Sequence, residues 1–126
     1  MSVPEHLRYT ADHEWLAPDE RGARIGITAY AVEQLGDIVF LELPEPGTEL
    51  VAGEAFGSVE SVKAVSDLQA PVAGTVLEIN AAVVADPASV NLDPYAAWLV
   101  RLQPSAPEQV GALLDANAYT ALLEGA

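Results

Sequence analysis

The residue best suited to covalent chemistry is Lys63, the only lysine in the chain. It lies in the segment from Gly57 to Asp67, between two stretches that alternate like the strands of a hairpin. Because a primary amine can be acylated by an activated carboxylic acid and a guanidinium cannot, one retained amine at a turn suggests a covalent attachment point. The count alone favours a lysine kept by chance on a solvated loop, and the flanking residues decide between the two interpretations. All other basic residues are arginine, at Arg8, Arg21, Arg24 and Arg101.

Composition limits the kind of protein this is. With 126 residues, 51% of them hydrophobic, the chain can bury the core of one domain, which we place at residues 1–126. The absence of cysteine excludes a disulfide framework, a cysteine-based zinc site and a thiol nucleophile, so any sulfur chemistry would need a cofactor. A formal net charge of −14 argues against nucleic acid or an anionic membrane surface as a partner. Partners with basic docking faces are favoured instead.

The first eight residues contain no apolar stretch typical of a secretion signal and no arginine- and serine-rich run typical of organelle import. The longest apolar run, from Ala81 to Ala85, is too short to cross a bilayer. We therefore expect a cytoplasmic protein without a membrane span, although a matured organellar form would have the same features.

The elements that must position the lysine are predicted mainly as short strands. Aromatic and β-branched residues predict a first strand from Tyr9 to Leu16, closed by Pro18, and a hairpin partner from Ala23 to Ile27. Thr28 can then cap a short helix, with Gly36 as its C-terminal stop. Further strands are predicted over residues 38–43, 55–61, 65–69, 75–79 and 98–102.

The end of the chain predicts two helices. Ser105 and Glu108 have the spacing of a capping box, Pro107 stands near the first helical position, and Asp115 can cap a second helix through Leu123. Short strands followed by terminal helices indicate an α+β fold, mainly β, built on a small sandwich or barrel. Its core would span about 9–103 and its helical tail about 105–124.

Short sequence motifs along the chain resemble one known family. The lysine segment reads Glu60-Ser61-Val62-Lys63-Ala64, followed by Ser66-Asp67, Ala70-Pro71, Gly74 and Glu78-Ile79-Asn80. Other stretches, in the order found in that family, are Tyr9-Thr10, Asp12-His13-Glu14-Trp15, Ile25-Gly26-Ile27-Thr28, Leu35-Gly36-Asp37-Ile38-Val39-Phe40 and Leu43-Pro44. Together they resemble the glycine cleavage system H protein family over nearly the whole chain.

The resemblance implies a lipoyl-domain-like barrel-sandwich hybrid that serves as a carrier and not as a free-standing enzyme. In that family the lysine at the Lys63 position carries amide-linked lipoic acid, whose dithiolane accepts the aminomethyl group left when a pyridoxal-phosphate glycine decarboxylase acts on glycine. A tetrahydrofolate-dependent aminomethyltransferase then unloads the arm, and a flavin-dependent dihydrolipoyl dehydrogenase reoxidises its dithiol. The cofactor would supply the sulfurs that this cysteine-free chain lacks. We expect the carrier to be a monomer.

The same resemblance assigns roles to further residues. Glu60 and Gly74 match positions that a lipoate-attaching enzyme uses to recognise its target, although a solvated acid and a turn glycine are the ordinary interpretations. In that family the loaded arm can fold back into a cleft, and the resemblance places this cleft at Asp12, Glu14, Ala64 and Asp67. Carboxylates there could hold the ammonium group of the arm.

Two features lie outside the lysine segment, a histidine in the first predicted strand and a short loop before the last. His13 has only His6 as a companion, so we expect no metal site and a strand-borne histidine packed against Trp15. The segment from Pro94 to Trp98 is one residue shorter than the usual family loop and lacks its glycine, which leaves the geometry before the last predicted strand open.

Other functions remain compatible with parts of the sequence. A biotin carrier would place methionines beside its lysine, and the single methionine here is Met1. A lipoyl domain of a 2-oxo acid dehydrogenase usually has aspartate before the lysine, where this chain has Val62. A lipoyl relay protein of the same family, which passes lipoate to other acceptors, is not separated by sequence. A Schiff-base enzyme would need a buried lysine, and an acidic interaction module would use Lys63 only in a surface ion pair.

Overall fold

Two antiparallel sheets form the body of the protein in a computed structural model that describes residues 3–125. Residues 1, 2 and 126, which the predicted domain includes, lie outside the described residues. The larger sheet has the strand order β1-β2-β3-β9-β8-β5, and the smaller has the order β4-β6-β7. The strands are β1 Arg8–Tyr9, β2 Glu14–Asp19, β3 Gly22–Ile27, β4 Ile38–Glu42, β5 Glu49–Leu50, β6 Ala55–Ser61, β7 Val65–Gln69, β8 Gly74–Ile79 and β9 Val100–Pro104. The prediction of an α+β fold that is mainly β is confirmed.

Five short helices accompany the sheets within the described residues. They are α1 Ala29–Leu35, α2 Ala81–Ala85, α3 Ala88–Leu92, α4 Pro107–Gly111 and α5 Ala116–Glu124. The last two lie in the segment predicted as a helical tail.

Apolar side chains from the two sheets meet in a continuous core. One buried cluster includes Ile38, Leu41, Val59 and Leu68 of the smaller sheet, and a second is centred on the larger sheet. Leu43 and Phe56 pack against both clusters and therefore join the two sheets. This packing is the sandwich part of the predicted barrel-sandwich hybrid.

A third cluster attaches the C-terminal helix. Tyr9 and Trp15 of β1 and β2 pack with Ala116 and Tyr119 of α5, and the rings of Tyr9 and Tyr119 stack with centroids 4.6 Å apart. The tail is thus part of the packed structure.

The predicted single strand from Tyr9 to Leu16 is wrong. The chain reverses at residues 10–13, so that Tyr9 of β1 pairs with Trp15 of β2. His13 makes this reversal possible by adopting a left-handed conformation, with φ 68°, which an aromatic and β-branched run does not signal. The predicted strand end at Pro18 is also wrong, because β2 continues to Asp19. Proline has no N–H to donate to a neighbouring strand. It is tolerated here because β1, which pairs with β2 only as far as Leu16, does not extend to Pro18.

The predicted helix ends are confirmed in part. Thr28 caps α1 by accepting a hydrogen bond from the Ala31 amide at 3.3 Å, and Gly36 ends the helix with φ 79°, as predicted. Asp115 caps α5 through the Ala118 amide at 2.8 Å, also as predicted. The capping box at Ser105 is wrong, since Ala106 is the N-cap of α4 and makes no side-chain bond.

Several elements were missed or shifted. Strand β5 and helices α2 and α3 were not predicted, and β9 begins two residues later than predicted, at Val100. The short segment before β9 is nevertheless fixed, because the Pro94 carbonyl accepts a hydrogen bond from Trp15 Nε1 at 3.1 Å and the Tyr95 hydroxyl accepts one from the Ala29 amide at 3.1 Å.

We predict that Gly26→Ala lowers the free energy of unfolding by about 1–3 kcal/mol. A Cβ at Gly26 would lie 2.5 Å from the Trp15 indole, so the ring would have to move. Urea unfolding followed by tryptophan fluorescence measures the effect. Gly111→Ala, where an added Cβ meets nothing within 4 Å, is the matched control and should be neutral or stabilising. Parent-like stability of Gly26→Ala would contradict the prediction.

Candidate carrier site around Lys63

Lys63 stands at the tip of the turn that joins β6 to β7. The turn is closed by the Ser61 amide, which donates to the Ala64 carbonyl at 2.8 Å, and by the Ser61 hydroxyl, which accepts from the Ala64 amide at 3.1 Å. Ser61 is buried, whereas Val62, Lys63 and Ala64 are exposed. The amine therefore projects from a defined turn into solvent, and a buried Schiff-base lysine is excluded.

The lysine turn is also attached to the segment between α1 and β4. The Val62 amide donates to the Asp37 carbonyl at 3.0 Å. A Cβ placed on Gly36 would lie 3.6 Å from Lys63 Cε, so the aliphatic part of the lysine passes over this glycine. The base of the turn is thus fixed at two places while its end remains free.

Asn91 of α3 fastens the segment under the lysine, and sequence analysis missed it. Its Nδ2 donates to the Gly36 carbonyl at 2.9 Å, and its Oδ1 accepts from the Ile38 amide at 2.9 Å. The partners lie more than 50 positions earlier in the chain, with separations of 55 and 53 residues. No local sequence signal could have identified this clamp.

Glu14 is a buried acid beside β7. Glu14 is only 2% exposed. Its carboxyl oxygens have protein partners: Oε2 accepts from the Gln69 amide at 2.7 Å, and Oε1 accepts from the Thr10 hydroxyl at 3.2 Å. Burial raises the pKa of Glu14 to about 8, with a smaller contribution from the charge of Asp12 and an opposing one from the Gln69 hydrogen bond. Glu14 is therefore mainly protonated at neutral pH.

Of the four predicted cleft residues, Asp67 lies on the edge strand β7 and Glu14 contacts that strand. Asp67 precedes Gln69 by two residues, so their Cα atoms are about 7 Å apart, and Glu14 contacts the Gln69 amide. Asp12 is exposed in the adjacent turn and is near enough to raise the pKa of Glu14. Ala64, the fourth, closes the lysine turn at the head of β7. Their role toward a loaded arm stays a prediction.

The two residues predicted for ligase recognition lie in different sheets. Glu60 is exposed on β6, opposite Phe40 and Val65. Gly74 is buried on β8, where an added Cβ would overlap the Gln103 carbonyl oxygen and approach Leu102 Cγ at 3.0 Å. The requirement for glycine at position 74 is therefore steric, which a turn signal in the sequence does not reveal. Recognition by a ligase stays a prediction for both.

The expectation that His13 packs as a strand residue against Trp15 is wrong. His13 lies in the left-handed turn, with its ring centroid 4.5 Å from that of Tyr30, and its Nδ1 is 2.8 Å from the Tyr119 hydroxyl. Burial lowers the pKa of His13, so the neutral ring accepts from Tyr119 through Nδ1. The Thr28 hydroxyl, also 2.8 Å away, can then donate to Tyr119. Helix α5 thereby ties the turn before Glu14 to the start of α1.

Two kinds of site are not found among the described residues. Within residues 3–125, no group of three or more histidine, cysteine, aspartate or glutamate side chains is arranged to hold a metal ion. In the same part of the chain, no helix has both the length and the hydropathy needed to cross a membrane.

The sandwich and its protruding lysine turn define a carrier domain of the lipoyl type. The family model for the glycine cleavage H-protein matches residues 7–126. The chain is 53% identical over 126 residues to the glycine cleavage system H protein of Synechococcus sp. (strain JA-3-3Ab), covering 99% of this chain and 98% of the relative. It is 50% identical over 124 residues to that of Geobacillus kaustophilus, covering 98% of each.

A solved structure gives the same result. The crystal structure of a glycine cleavage system H protein from Mycobacterium marinum superposes with a TM-score of 0.88 at 48% identity, covering 98% of this chain and 100% of the other. The chain therefore belongs to the glycine cleavage H-protein family, a carrier component of the glycine cleavage system.

We predict that Asn91→Ala lowers the free energy of unfolding by about 2 kcal/mol, because two partly buried hydrogen bonds are lost. Hydrogen exchange should accelerate at the Ile38 and Val62 amides. Ser89→Ala is the control on the same helix, since its hydroxyl bonds only the nearby Asp86 carbonyl at 2.7 Å. Unchanged exchange at Val62 in Asn91→Ala would show that the clamp does not support the lysine turn.

We predict that Glu14 makes the protein less stable as the pH rises from 5 to 8. The folded chain keeps the Glu14 proton to about pH 8, whereas the ordinary pKa is 4.5. The folded state thus binds more protons over this range, and the free energy of unfolding falls with rising pH.

Glu14→Gln keeps an oxygen that accepts from the Gln69 amide, places an NH2 donor against the Thr10 hydroxyl, which can accept, and removes the titration. Its stability relative to the parent should increase by about 3 kcal/mol between pH 5 and pH 8, measured by urea unfolding at both values. Glu33→Gln, an exposed acid on α1, controls for the loss of one carboxylate. Parallel pH profiles for the parent and Glu14→Gln would contradict the prediction.

Proposed function

We propose that Lys63 carries amide-linked lipoic acid and that the chain shuttles the aminomethyl group in glycine cleavage, without being a catalyst itself. The observation that carries this proposal is the exposed single amine at a turn whose base is fixed by Ser61 and Asp37. Such an amine can reach the active sites of other proteins, while the fixed base keeps its position defined. This site can accept lipoic acid, since attachment needs only an accessible amine and Lys63 is exposed.

Attachment is an acyl transfer to Lys63. The deprotonated ε-amine attacks the carbonyl carbon of an activated carboxylic acid such as an acyl adenylate. A carbon–nitrogen bond forms, the bond to the adenylate oxygen breaks, AMP leaves and the nitrogen loses a proton. One positive charge disappears, which takes the formal net charge from −14 to −15. The lipoyl group would supply the redox-active sulfur pair that the chain lacks.

We further propose that Asp12, Glu14, Ala64 and Asp67 receive the loaded arm. Glu14 is buried beside β7 and mainly protonated at neutral pH. An ammonium group brought next to it would favour its carboxylate form and pair with it. Asp12 and Asp67 add negative charge at the rim, where both are exposed. Ala64 has a side chain small enough to leave room beside the tip. Together these residues would shield a labile amine from water.

The partners follow from the same proposal. They are a pyridoxal-phosphate glycine decarboxylase, a tetrahydrofolate-dependent aminomethyltransferase, a dihydrolipoyl dehydrogenase and a lipoate-attaching enzyme that reads Glu60. Gly74 would serve this last enzyme indirectly, by allowing β8 and β9 to pair closely. A net charge of −14 favours basic docking faces on these enzymes and fast encounter. We propose that the chain acts as a monomeric, single-domain carrier in the cytoplasm.

The test uses the full chain and Lys63→Arg, which keeps the positive charge and removes the acylable amine. With lipoate, ATP and a lipoate-attaching enzyme, intact mass should show one lipoyl increment on the parent and none on Lys63→Arg. The parent should then support glycine–bicarbonate exchange with the decarboxylase, and the variant should not, while both fold alike by circular dichroism. A lipoyl increment retained in Lys63→Arg, or exchange that does not depend on Lys63, would refute the proposal.

A further inference from the structure

The smaller sheet exposes its outer face next to the lysine turn. Strand pairing places Phe40, Glu60 and Val65 side by side across β4, β6 and β7 in the row nearest the tip. The next row contains Glu42, Ser58 and Asp67. The intervening residues Leu41 and Val59 face inward and are buried. The outer face is therefore a defined surface: an apolar–acid–apolar row followed by a row with two acids.

The apolar members of the first row are exposed on the same face of the sheet. Phe40 is 51% exposed and Val65 is 67% exposed, and Val62 at the adjoining tip is 77% exposed. These side chains stand around Lys63 and do not support the core. Grouped apolar exposure with a polar border is typical of a contact surface.

We propose that the row formed by Phe40, Glu60 and Val65 is the docking surface for the lipoate-attaching enzyme. This inference rests on the proposed function. An unmodified lysine side chain reaches only about 6 Å from its Cα, five bonds in all. An enzyme that acylates the amine must therefore approach the tip closely and cover residues two positions away, such as Val65. Enzymes that later act at the end of the longer, modified arm need not approach so closely.

The row also defines the chemistry of the partner surface. Two apolar contacts would receive Phe40 and Val65, and a hydrogen-bond donor or cation between them would pair with Glu60. Basic groups beyond it would face Glu42 and Asp67. Because Glu60 sits between two apolar side chains, docking would partly exclude water from its carboxylate and strengthen its pairing.

The test compares Phe40→Thr and Val65→Thr with Leu77→Thr. Leu77 is 43% exposed on β8 in the other sheet and provides a matched strand control. Threonine places a β-branched side chain, which suits a strand, at each of the three positions, so folding should be preserved. Circular dichroism checks this. The readout is kcat/KM for lipoyl addition to Lys63, followed by intact mass. Acylation of Lys63 by a small activated ester, followed by peptide mass, checks that the amine itself is equally reactive.

We expect kcat/KM to fall about tenfold or more in each of the two row variants, with no change in Leu77→Thr or in the small-ester reaction. Parent-like lipoylation of both row variants would overturn the docking surface, even if they bound another partner less well. An equal loss in Leu77→Thr would overturn it too. Failure of the parent chain itself to accept lipoate would instead refute the proposed function.

Discussion

The position of the lysine depends on the hydrogen bond between the Val62 amide and the Asp37 carbonyl, together with the closed turn from Ser61 to Ala64. A hairpin tip alone is mobile, since a two-stranded ribbon has little to hold it in water. Here the tip is joined to the start of β4, and that segment is in turn clamped by Asn91 of α3. The protein thus combines a solvated nucleophile with a base that belongs to the packed body.

A buried protonated glutamate contacts the end of β7 that lies away from the lysine turn, and its burial costs stability. An acid taken out of water costs free energy unless it is neutral or well paired, and Glu14 meets this constraint by holding its proton and by bonding the Gln69 amide and Thr10. Such costs concentrate at functional sites, where local stability is given up for chemistry. The contact of Glu14 with the edge strand β7, two residues from Asp67, is consistent with that pattern.

Local signals in the sequence predicted many of the strands and helix ends around the lysine turn. The bounds of β6 and β7 match the alternating stretches on either side of Lys63, and Thr28, Gly36 and Asp115 act at helix ends as their chemistry indicates. The reversal at His13 was missed because nothing but a single left-handed residue marks it. Asn91 and Tyr119 were missed because their partners are distant in sequence. The resemblance named Glu14 and Gly74, but their burial, which determines what each can do, follows only from the packing.

The bonds from Tyr119 to His13 and Thr28 also bear on how the chain assembles. They span 106 and 91 residues, whereas the lysine hairpin and β4 lie within a single short stretch. Contacts that close long loops form after local ones because of their entropic cost. On a ribosome, the hairpin can therefore pair while the C-terminal helix is still unmade, and the turn that presents Glu14 receives its last support only when synthesis is nearly complete.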